Sequence, residues 1–299
     1  MPVTASMVKE LREKTSAGML DCKKALEATD GNMEEAVKWL REKGISKAEK
    51  KASRIAAEGL CEVIAEGNQA LLFEVNSETD FVAKNQKFLD LIKLVGDAVL
   101  HSDAKCTDCA LNVSVNGKTV NEVILEASGT IGEKISLRRV QRITKTDSQV
   151  FGLYKHMGGR IVVLTVLEGG NETVAKDVAM HVAAIAPKYV SKDDVSEAEI
   201  NSEREILLAQ ALNENEQSAK PKPQEIIAKM VEGRLNKSLQ EMCLLNQPFV
   251  KLPDQTVEAY VKSNNAKVVS FVRLAVGEGI EKREDDFAAE VAAQAGLTK

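Results

Sequence analysis

An internal repeat constrains the fold of this chain more than any other feature of its sequence. When the sequence is shifted by 92 positions, residues 71–75 fall on 163–167 and residues 82–84 fall on 174–176 without a gap. In both copies, two strand-like runs flank a glycine-containing turn and are followed by apolar residues at helical spacing. Two copies of this strand, strand, helix unit predict two similar α+β subdomains.

The first copy shows the pattern most clearly. Residues 60–64 and 70–75 read as strands, and the intervening Glu66-Gly67-Asn68-Gln69 is typical of a hairpin turn. A helix is expected next, and it begins just after Thr79, which can cap it. The apolar stripe of this helix is formed by Phe81, Phe88, Ile92, Val95 and Val99.

Each copy is expected to gain a third strand, over residues 131–140 in the first and 268–276 in the second. Each half would then hold three antiparallel strands covered by helices. Between Tyr189 and Pro248, two helical stripes around a break at 220–223 predict an inserted antiparallel helical hairpin. This hairpin is either a dimerisation or docking arm or a satellite of the core. Its stripes are Ile200, Leu207 and Ala211 before the break, and Ile226, Met230, Leu235 and Leu239 after it.

The region before the repeat is predicted to be a module of three short helices. From Thr4, the residues Met7, Val8 and Leu11 have helical spacing, residues 15–18 break the pattern, and residues 19–28 resume it. A third helix is expected from Asn32, which occupies a capping-box position, to a stop at Gly44. The charged run 47–54 is interpreted as a linker, either solvated or in local contact with phosphate or the ribosome.

The domain organisation follows from these patterns. The C-terminal helix is predicted over residues 285–295, with Phe287 and Val291 on the side that docks on a partner or on the core. The predicted parts are an N-terminal module with its linker (1–54), a first core subdomain (55–145), a second core subdomain (146–190 and 247–279), the hairpin arm (191–246) and a C-terminal helix module (280–299).

Composition excludes several classes of protein. Forty Lys plus Arg against forty-five Asp plus Glu give a net charge of −5, which argues against an overall electrostatic grip on nucleic acid or an anionic membrane. Five cysteines, an odd number, do not make a disulfide framework and fit a reducing cytoplasm. No apolar run approaches ~18 residues and the first residues are polar, so neither a membrane span nor a secretory signal is expected.

No constellation for catalysis, metal binding or cofactor binding stands out. Residues 129–134 contain glycines and a lysine, but their spacing is wrong for a phosphate loop, and we interpret them as a turn that opens a strand. Cys106 and Cys109 have the spacing of half a zinc or redox site, but no second pair follows, so they are interpreted as loop thiols.

The three histidines differ in context. His181 lies on an apolar helical stripe and is interpreted as a core histidine, and His101 closes a helix, where it can bond to free carbonyls. His156 precedes Gly158 and Gly159 at the mouth of the second hairpin, where glycines allow close approach of another surface. It is either a bulged strand entry or a contact site.

The sharpest feature is the passage from strand to helix at residues 74–85, where Asp80 and Phe81 are adjacent. Taken alone, Phe81 could be the first core residue of its helix and Asp80 a favourable acid in the first turn. The second copy has Glu172 and Thr173 at the matching positions, so the repeat fold does not require Asp-Phe there. The departure indicates a function.

These residues resemble the bacterial elongation factor Ts family, whose members exchange guanine nucleotides on elongation factor Tu. The resemblance covers essentially the whole chain. Its two long signatures are residues 11–26 and 74–84, with further similarity at 180–184, 229–234, 247–250 and 276–282. The stretch 104–121, which includes Cys106 and Cys109, follows no pattern of the family.

The resemblance implies an α+β fold with a ubiquitin-associated-like module, a two-part core, a helical dimerisation arm and a C-terminal helix. It implies elongation factor Tu as the partner, GDP release without a chemical reaction, and no cofactor, metal or catalytic residue. A homodimer through the hairpin is a second interaction considered, and no direct contact with nucleic acid or membrane is expected. The expected site near the magnesium ion of the partner is Thr79, Asp80, Phe81 and Val82. The other expected contacts are Arg12, Met19 and Leu20, which would hold the GTP-binding domain, together with His156 and Phe287.

Two other functions stay open at this point. The three-helix module could bind a protein or ribosomal surface while the rest serves as a scaffold. Alternatively, Cys106 and Cys109 could make the chain an enzyme of thiol exchange.

Overall fold

The computed structural model describes residues 3–15, 17–49, 51, 53–218 and 221–281. The chain divides into two compact units. Unit 1 comprises Met1–Ile143, Met157–Arg160 and Leu274–Lys299, and unit 2 comprises Thr144–His156 and Ile161–Arg273. The predicted C-terminal helix over 285–295, with Phe287, lies outside the described residues.

Unit 1 begins with the helices α1 (Ala5–Thr15), α2 (Met19–Ala28) and α3 (Met33–Glu49). The Oδ1 atom of Asn32 accepts the backbone N–H groups of Glu34 and Glu35, so the predicted start of α3 is confirmed. The predicted stop at Gly44 is wrong, because α3 continues to Glu49. Tertiary packing against a later helix, over residues 120–131, overrides the local signal. The core of the three helices consists of Leu11, Cys22, Ala25, Leu26 and Ala36.

The sheet of unit 1 confirms the predicted hairpin. Strand β1 (Glu58–Glu66) pairs antiparallel with β2 (Gln69–Ser77), and Glu66 lies opposite Gln69 across a two-residue turn. After β2 follow α4 (Asp80–Ala83), α5 (Gln86–Leu100), α6 (Thr107–Leu111), β3 (Ser114–Val115), β4 (Lys118–Thr119), α7 (Val120–Ile131) and β5 (Ser136–Thr144). The sheet order is β1, β2, β5, so β2 is central.

Two boundaries of unit 1 differ from the predictions. The helix expected to begin just after Thr79 is broken into α4 and α5, because the side chain of Asn85 accepts the N–H of Lys87 and starts a second helix. Thr79 precedes α4, but its side chain makes no capping bond. The third strand does not begin at Ile131, which ends α7; Gly132, with φ of +96°, terminates that helix before β5 begins at Ser136.

Unit 2 repeats the same arrangement. Strands β6 (Gln149–His156) and β7 (Ile161–Gly169) form an antiparallel hairpin, followed by α8 (Glu172–Ile185). The chain then forms α9 (Glu197–Glu216), α10 (Gln224–Met242), β8 (Pro248–Phe249), β9 (Leu252–Thr256), α11 (Val257–Ser263) and β10 (Ala266–Ala275). The order β10, β7, β6 again places the second hairpin strand in the centre. The predicted α+β class with two three-stranded sheets is therefore confirmed.

Helices α9 and α10 form the predicted helical hairpin, but its buried face differs from the prediction. Ile226 is 46% exposed, and Met230 is only partly buried. Ile200, Leu207 and Ala211 of α9 pack against the buried residues of α10. The buried face of α10 is Ile227, Val231, Leu235 and Leu239.

The interpretation of Cys106 and Cys109 as free loop thiols is also wrong. The two sulfurs form a disulfide at the start of α6, where one helical turn brings the Cα atoms to 5.2 Å from each other.

His101 and His181 lie as predicted: His101 bonds the carbonyl of Asp97 at a helix end, and buried His181 bonds Gln247. Within the described ranges, no helix is both long enough and apolar enough to cross a membrane.

We expect Gly129→Ala to lower the stability of the chain, because a Cβ at Gly129 of α7 would lie 2.7 Å from the carbonyl oxygen of Gly44 in α3. Overpacking of this kind costs about 1–3 kcal/mol and outweighs the gain in helix propensity. Gly44→Ala is the matched control, since a Cβ there has no neighbour within 4 Å. It should raise stability by up to about 1 kcal/mol. Urea unfolding of both variants would show the two opposite signs, and equal effects would contradict the packing argument.

Candidate functional site

The candidate site lies where β2 passes into α4, and we call residues 77–83 the tip. Phe81 is 80% exposed, whereas Val82 and Ala83 are 7% and 8% exposed and belong to the core of unit 1. The tip is thus anchored by its two buried residues, while the side chain of Phe81 is exposed to solvent. Burial of a phenylalanine side chain is worth about 1.5–3 kcal/mol. An exposed phenylalanine on an anchored turn is therefore a candidate interaction residue.

The backbone of the tip is held by two carboxylates that cross between neighbouring segments. Glu133 accepts the N–H of Thr79 at 2.9 Å and its hydroxyl at 2.6 Å, and Glu78 accepts the N–H of Lys134 at 2.6 Å. Ser77 adds a bond from its Oγ to the carbonyl of Thr79 at 2.9 Å. We call the Thr79–Glu133 and Glu78–Lys134 contacts the clamp. In this position the Thr79 hydroxyl donates to Glu133 and makes no capping bond to α4.

The tip carries a carboxylate, that of Asp80, which forms an ion pair with Lys84. Asp80 accepts a bond from Lys84, one helical turn later, at 2.8 Å. This hydrogen bond lowers the pKa of Asp80, and the positive charges of Lys84 and Arg160 lower it further. Asp80 is therefore ionised at neutral pH. The tip presents an anionic group and an aromatic ring on adjacent residues.

A buried carboxylate lies beneath the tip in β2. Glu74 has no exposed surface, and its oxygens accept bonds from the N–H of Gly277 at 2.8 Å and from Nδ2 of Asn76 at 2.9 Å. Its Oε2 also accepts bonds from Arg138 at 3.0 Å and from Arg139 at 2.5 Å. Burial alone would raise the pKa of Glu74, but these donors outweigh it, and the pKa is lowered.

The two arginines extend this contact to the end of β10 and the turn that follows it. Arg138 donates through Nη2 to the carbonyl of Glu278 at 2.7 Å, and Arg139 donates through Nη2 to the carbonyl of Ala275 at 2.6 Å. Glu74 therefore joins β2, β5 and residues 275–278 in one network of charged hydrogen bonds. At the matching position the second copy has Val166, which is buried at 3% exposure.

The other predicted contact residues that the structure describes belong to different units. Met19 and Leu20, at the start of α2 in unit 1, are 59% and 74% exposed, and Arg12 in α1 is exposed as well. His156, at the end of β6 in unit 2, is exposed and has its Nδ1 at 3.2 Å from the hydroxyl of Tyr154. Of the four predicted tip residues, Val82 is buried in the free protein.

Sequence reasoning missed the residues that hold the tip. Glu133 lies in the stretch that was rejected as a phosphate loop, and 54 positions separate it from Thr79. No local pattern marks this pair; only the shared polarity of the two turns could have suggested it. Among the described residues, no group of His, Cys, Asp and Glu side chains could hold a metal ion.

Two comparisons with known proteins identify the family of this chain. The family model described as Elongation factor TS matches residues 78–278, a range that begins in the tip and includes Glu133. A protein named Elongation factor Ts, from Acholeplasma laidlawii (strain PG-8A), is 58% identical over 295 residues, which cover 98% of this chain and 99% of that relative. This chain belongs to the elongation factor Ts family. It is a translation elongation factor, as the resemblance implied.

For this family member, we expect Glu74→Gln to reduce the free energy of unfolding by about 3 kcal/mol, because it leaves two partly buried arginines without their carboxylate. The lowered pKa of Glu74 means that its contribution is complete above the unfolded pKa of about 4.3 and is lost as pH falls through the folded value. The difference between wild type and variant in urea unfolding should therefore shrink in acid. Glu214→Gln, which removes an exposed partner of Arg234, is the control and should change little. A difference that does not depend on pH would contradict the assignment.

We expect Glu133→Ala to loosen the tip without unfolding unit 1. The N–H of Thr79 loses its acceptor, so amide hydrogen exchange over residues 78–81 should become at least about tenfold faster, which corresponds to about 1.4 kcal/mol for one lost hydrogen bond. The matched control is Glu122→Ala, because Glu122 accepts the N–H and hydroxyl of Thr119 in the same manner at the start of α7. That variant should accelerate exchange at Thr119 only. Equal acceleration of the tip in both variants would argue against the clamp.

Proposed function

We propose that this chain is a guanine-nucleotide exchange factor that binds elongation factor Tu with GDP and releases the nucleotide. The observation that carries the proposal is Phe81, exposed on a turn that Val82, Ala83 and the clamp hold in place. The membership of the elongation factor Ts family supports the choice of partner.

The physics of nucleotide release requires no catalytic group on this chain. A bound nucleotide is held by backbone amides around its phosphates and by a Mg²⁺ ion that demands near-octahedral oxygen ligands. A small displacement of the elements that carry those ligands weakens both contacts. A wedge is therefore sufficient, and we propose that the chain is not an enzyme and uses neither a cofactor nor a metal of its own.

Each residue of the tip has a distinct role in this proposal. Phe81 inserts into the partner, where burial of its exposed ring favours the complex. Asp80 brings a negative charge close to the groups around the magnesium ion and competes with them. Thr79, which is bonded to Glu133, fixes the position from which the tip approaches the partner. Val82 is buried in the core and anchors the tip. The tip need not change its own conformation to act.

Further contacts would hold the partner while the tip acts. We propose that Arg12, Met19 and Leu20 bind its GTP-binding domain and that His156 contacts it elsewhere. Met19 and Leu20 are suited to this role because they are large, apolar and exposed. Phe287 remains a contact predicted from the sequence.

Linkage determines which complex is tight. A factor that weakens nucleotide binding must itself be weakened by nucleotide by the same free energy. The stable complex is therefore the nucleotide-free one, and GTP, when it binds, displaces the factor. We place this cycle in the cytoplasm, without direct contact to nucleic acid or membrane.

We expect Phe81→Ala to slow the release of labelled GDP from elongation factor Tu by well over tenfold, since loss of an anchoring aromatic typically costs ~2 kcal/mol or more. Release can be followed by fluorescence at substoichiometric amounts of this chain. Thermal unfolding should barely change, because the ring contributes little to the core. Val269→Ala, which truncates a 45% exposed side chain in unit 2, is the control and should leave release unchanged. Unaltered release with Phe81→Ala would remove the wedge assignment.

Asp80→Ala should also slow release, and its effect should diminish when Mg²⁺ is chelated, because the step that Asp80 assists has then already occurred. A defect of the same size with and without chelator would assign Asp80 to binding alone. The Lys84→Ala variant separates the two explanations further, since it removes the cation beside Asp80 and leaves the carboxylate in place.

We also propose that a second copy of the chain can bind through the helical hairpin. The apolar side chains that α9 and α10 leave exposed are Ile206, Leu208, Leu212 and Ile226. A Leu208→Glu, Leu212→Glu double variant should lower the mass measured by sedimentation equilibrium without altering GDP release. A wild-type chain that sediments as a monomer at every concentration would refute the dimer.

A further inference from the structure

The cysteines of this chain fall into two chemically different groups. All five lie within the described residues. Cys22, Cys61 and Cys243 are fully buried, and burial raises the pKa of each thiol, in the case of Cys61 to about 12. Cys106 and Cys109 are exposed and bonded to each other. Because the thiolate is the reactive form, the exposed pair is where thiol chemistry can occur.

The geometry of the pair suits both the reduced dithiol and the disulfide. Cys106 immediately precedes α6, and the N–H of Cys109 donates to Cys106 Sγ at 3.2 Å. The 5.2 Å between the Cα atoms lies in the range that a disulfide requires. When the bond is open, the same N–H group stabilises negative charge on Cys106 and favours its thiolate.

The backbone around the pair is held by contacts that do not involve sulfur. Ala104 and Ala110, on either side of it, are 7% and 0% exposed and belong to the core of unit 1. The guanidinium of Arg142 donates to the carbonyl of Ala104 at 3.0 Å and to that of Ser102 at 2.8 Å. Opening the disulfide therefore leaves the two sulfurs close together, which favours its re-formation.

We propose that Cys106 and Cys109 form a reversible thiol–disulfide site that exchanges with low-molecular-weight thiols and disulfides, separately from nucleotide exchange. In the oxidising direction, the Cys106 thiolate attacks one sulfur of a small disulfide and expels the first small thiolate. The Cys109 thiolate then attacks Cys106 Sγ of the mixed disulfide and expels the second. Two protein thiols are oxidised, one small disulfide is reduced to two thiols, and the two protons pass to the departing thiolates through water.

The test is a redox titration of the full chain in glutathione buffers of varied ratio, with acid quenching, alkylation under denaturing conditions and mass spectrometry. We expect the fraction of disulfide at Cys106–Cys109 to rise from none to nearly all across the series, and to return to none on dilution into reduced glutathione. The three buried cysteines should stay reduced throughout. A pair that remains reduced at every ratio, or oxidised at every ratio, would overturn the proposal.

Two single variants test the order of attack. Cys109→Ser, which lacks the resolving thiol, should accumulate a glutathione adduct on Cys106, whereas Cys106→Ser should accumulate the adduct on Cys109 at least about tenfold more slowly. Equal rates would overturn the assignment of Cys106 as the attacking thiol. The Cys106→Ser, Cys109→Ser double variant should form no adduct; an adduct there would show that a buried cysteine, and not this pair, is the reactive site. Circular dichroism of each variant checks that the fold is retained.

Discussion

The carboxylate of Glu74 is the constraint on which the rest of unit 1 depends. A charge with no exposed surface is tolerated only if its oxygens are fully bonded, and Glu74 meets this demand with Arg138, Arg139, Asn76 and the N–H of Gly277. The arginines in turn require acceptors, which they find in carbonyls of residues 275–278. One buried charge thus joins the central strand β2 to β5 and to residues 275–278 at the end of β10. Glu74 lies only a few residues before the tip, so this network supports the base of the tip.

A rigid base allows the tip to keep an apolar ring in solvent. Phe81 could reduce its exposure only if the turn before α4 rearranged, and that turn is held by the clamp and by the burial of Val82 and Ala83. The ordering entropy of the tip is therefore lost on folding and not on binding, which is the general advantage of a preorganised contact.

Much of this architecture could be predicted from local sequence, and the failures have identifiable physical causes. The alternation around Gly67 and the offset between the two copies were sufficient to predict both hairpins. Gly44 failed as a helix stop because the contact of α3 with Gly129, far along the chain, outweighs a local preference. The tip was predicted from its departure from the repeat, but the clamp was not, since Thr79 and Glu133 are 54 residues apart and each is an ordinary turn residue in isolation. The Cys106–Cys109 bond was missed for a different reason, because composition alone favoured reduced thiols.

Comparison of the two copies of the repeat separates the residues that the strand-to-helix junction requires from those that occur in the tip alone. Helix α8 begins at Glu172 as α4 begins at Asp80, and each follows the central strand of its sheet. The second copy achieves this with Val166 in place of Glu74 and Thr173 in place of Phe81. An apolar strand and a small polar residue are therefore sufficient for the strand-to-helix passage itself. At these matching positions the second copy has neither the buried carboxylate nor the exposed ring, whereas the first copy has both at one junction, where the bonds of Glu74 support the strand that leads to Phe81.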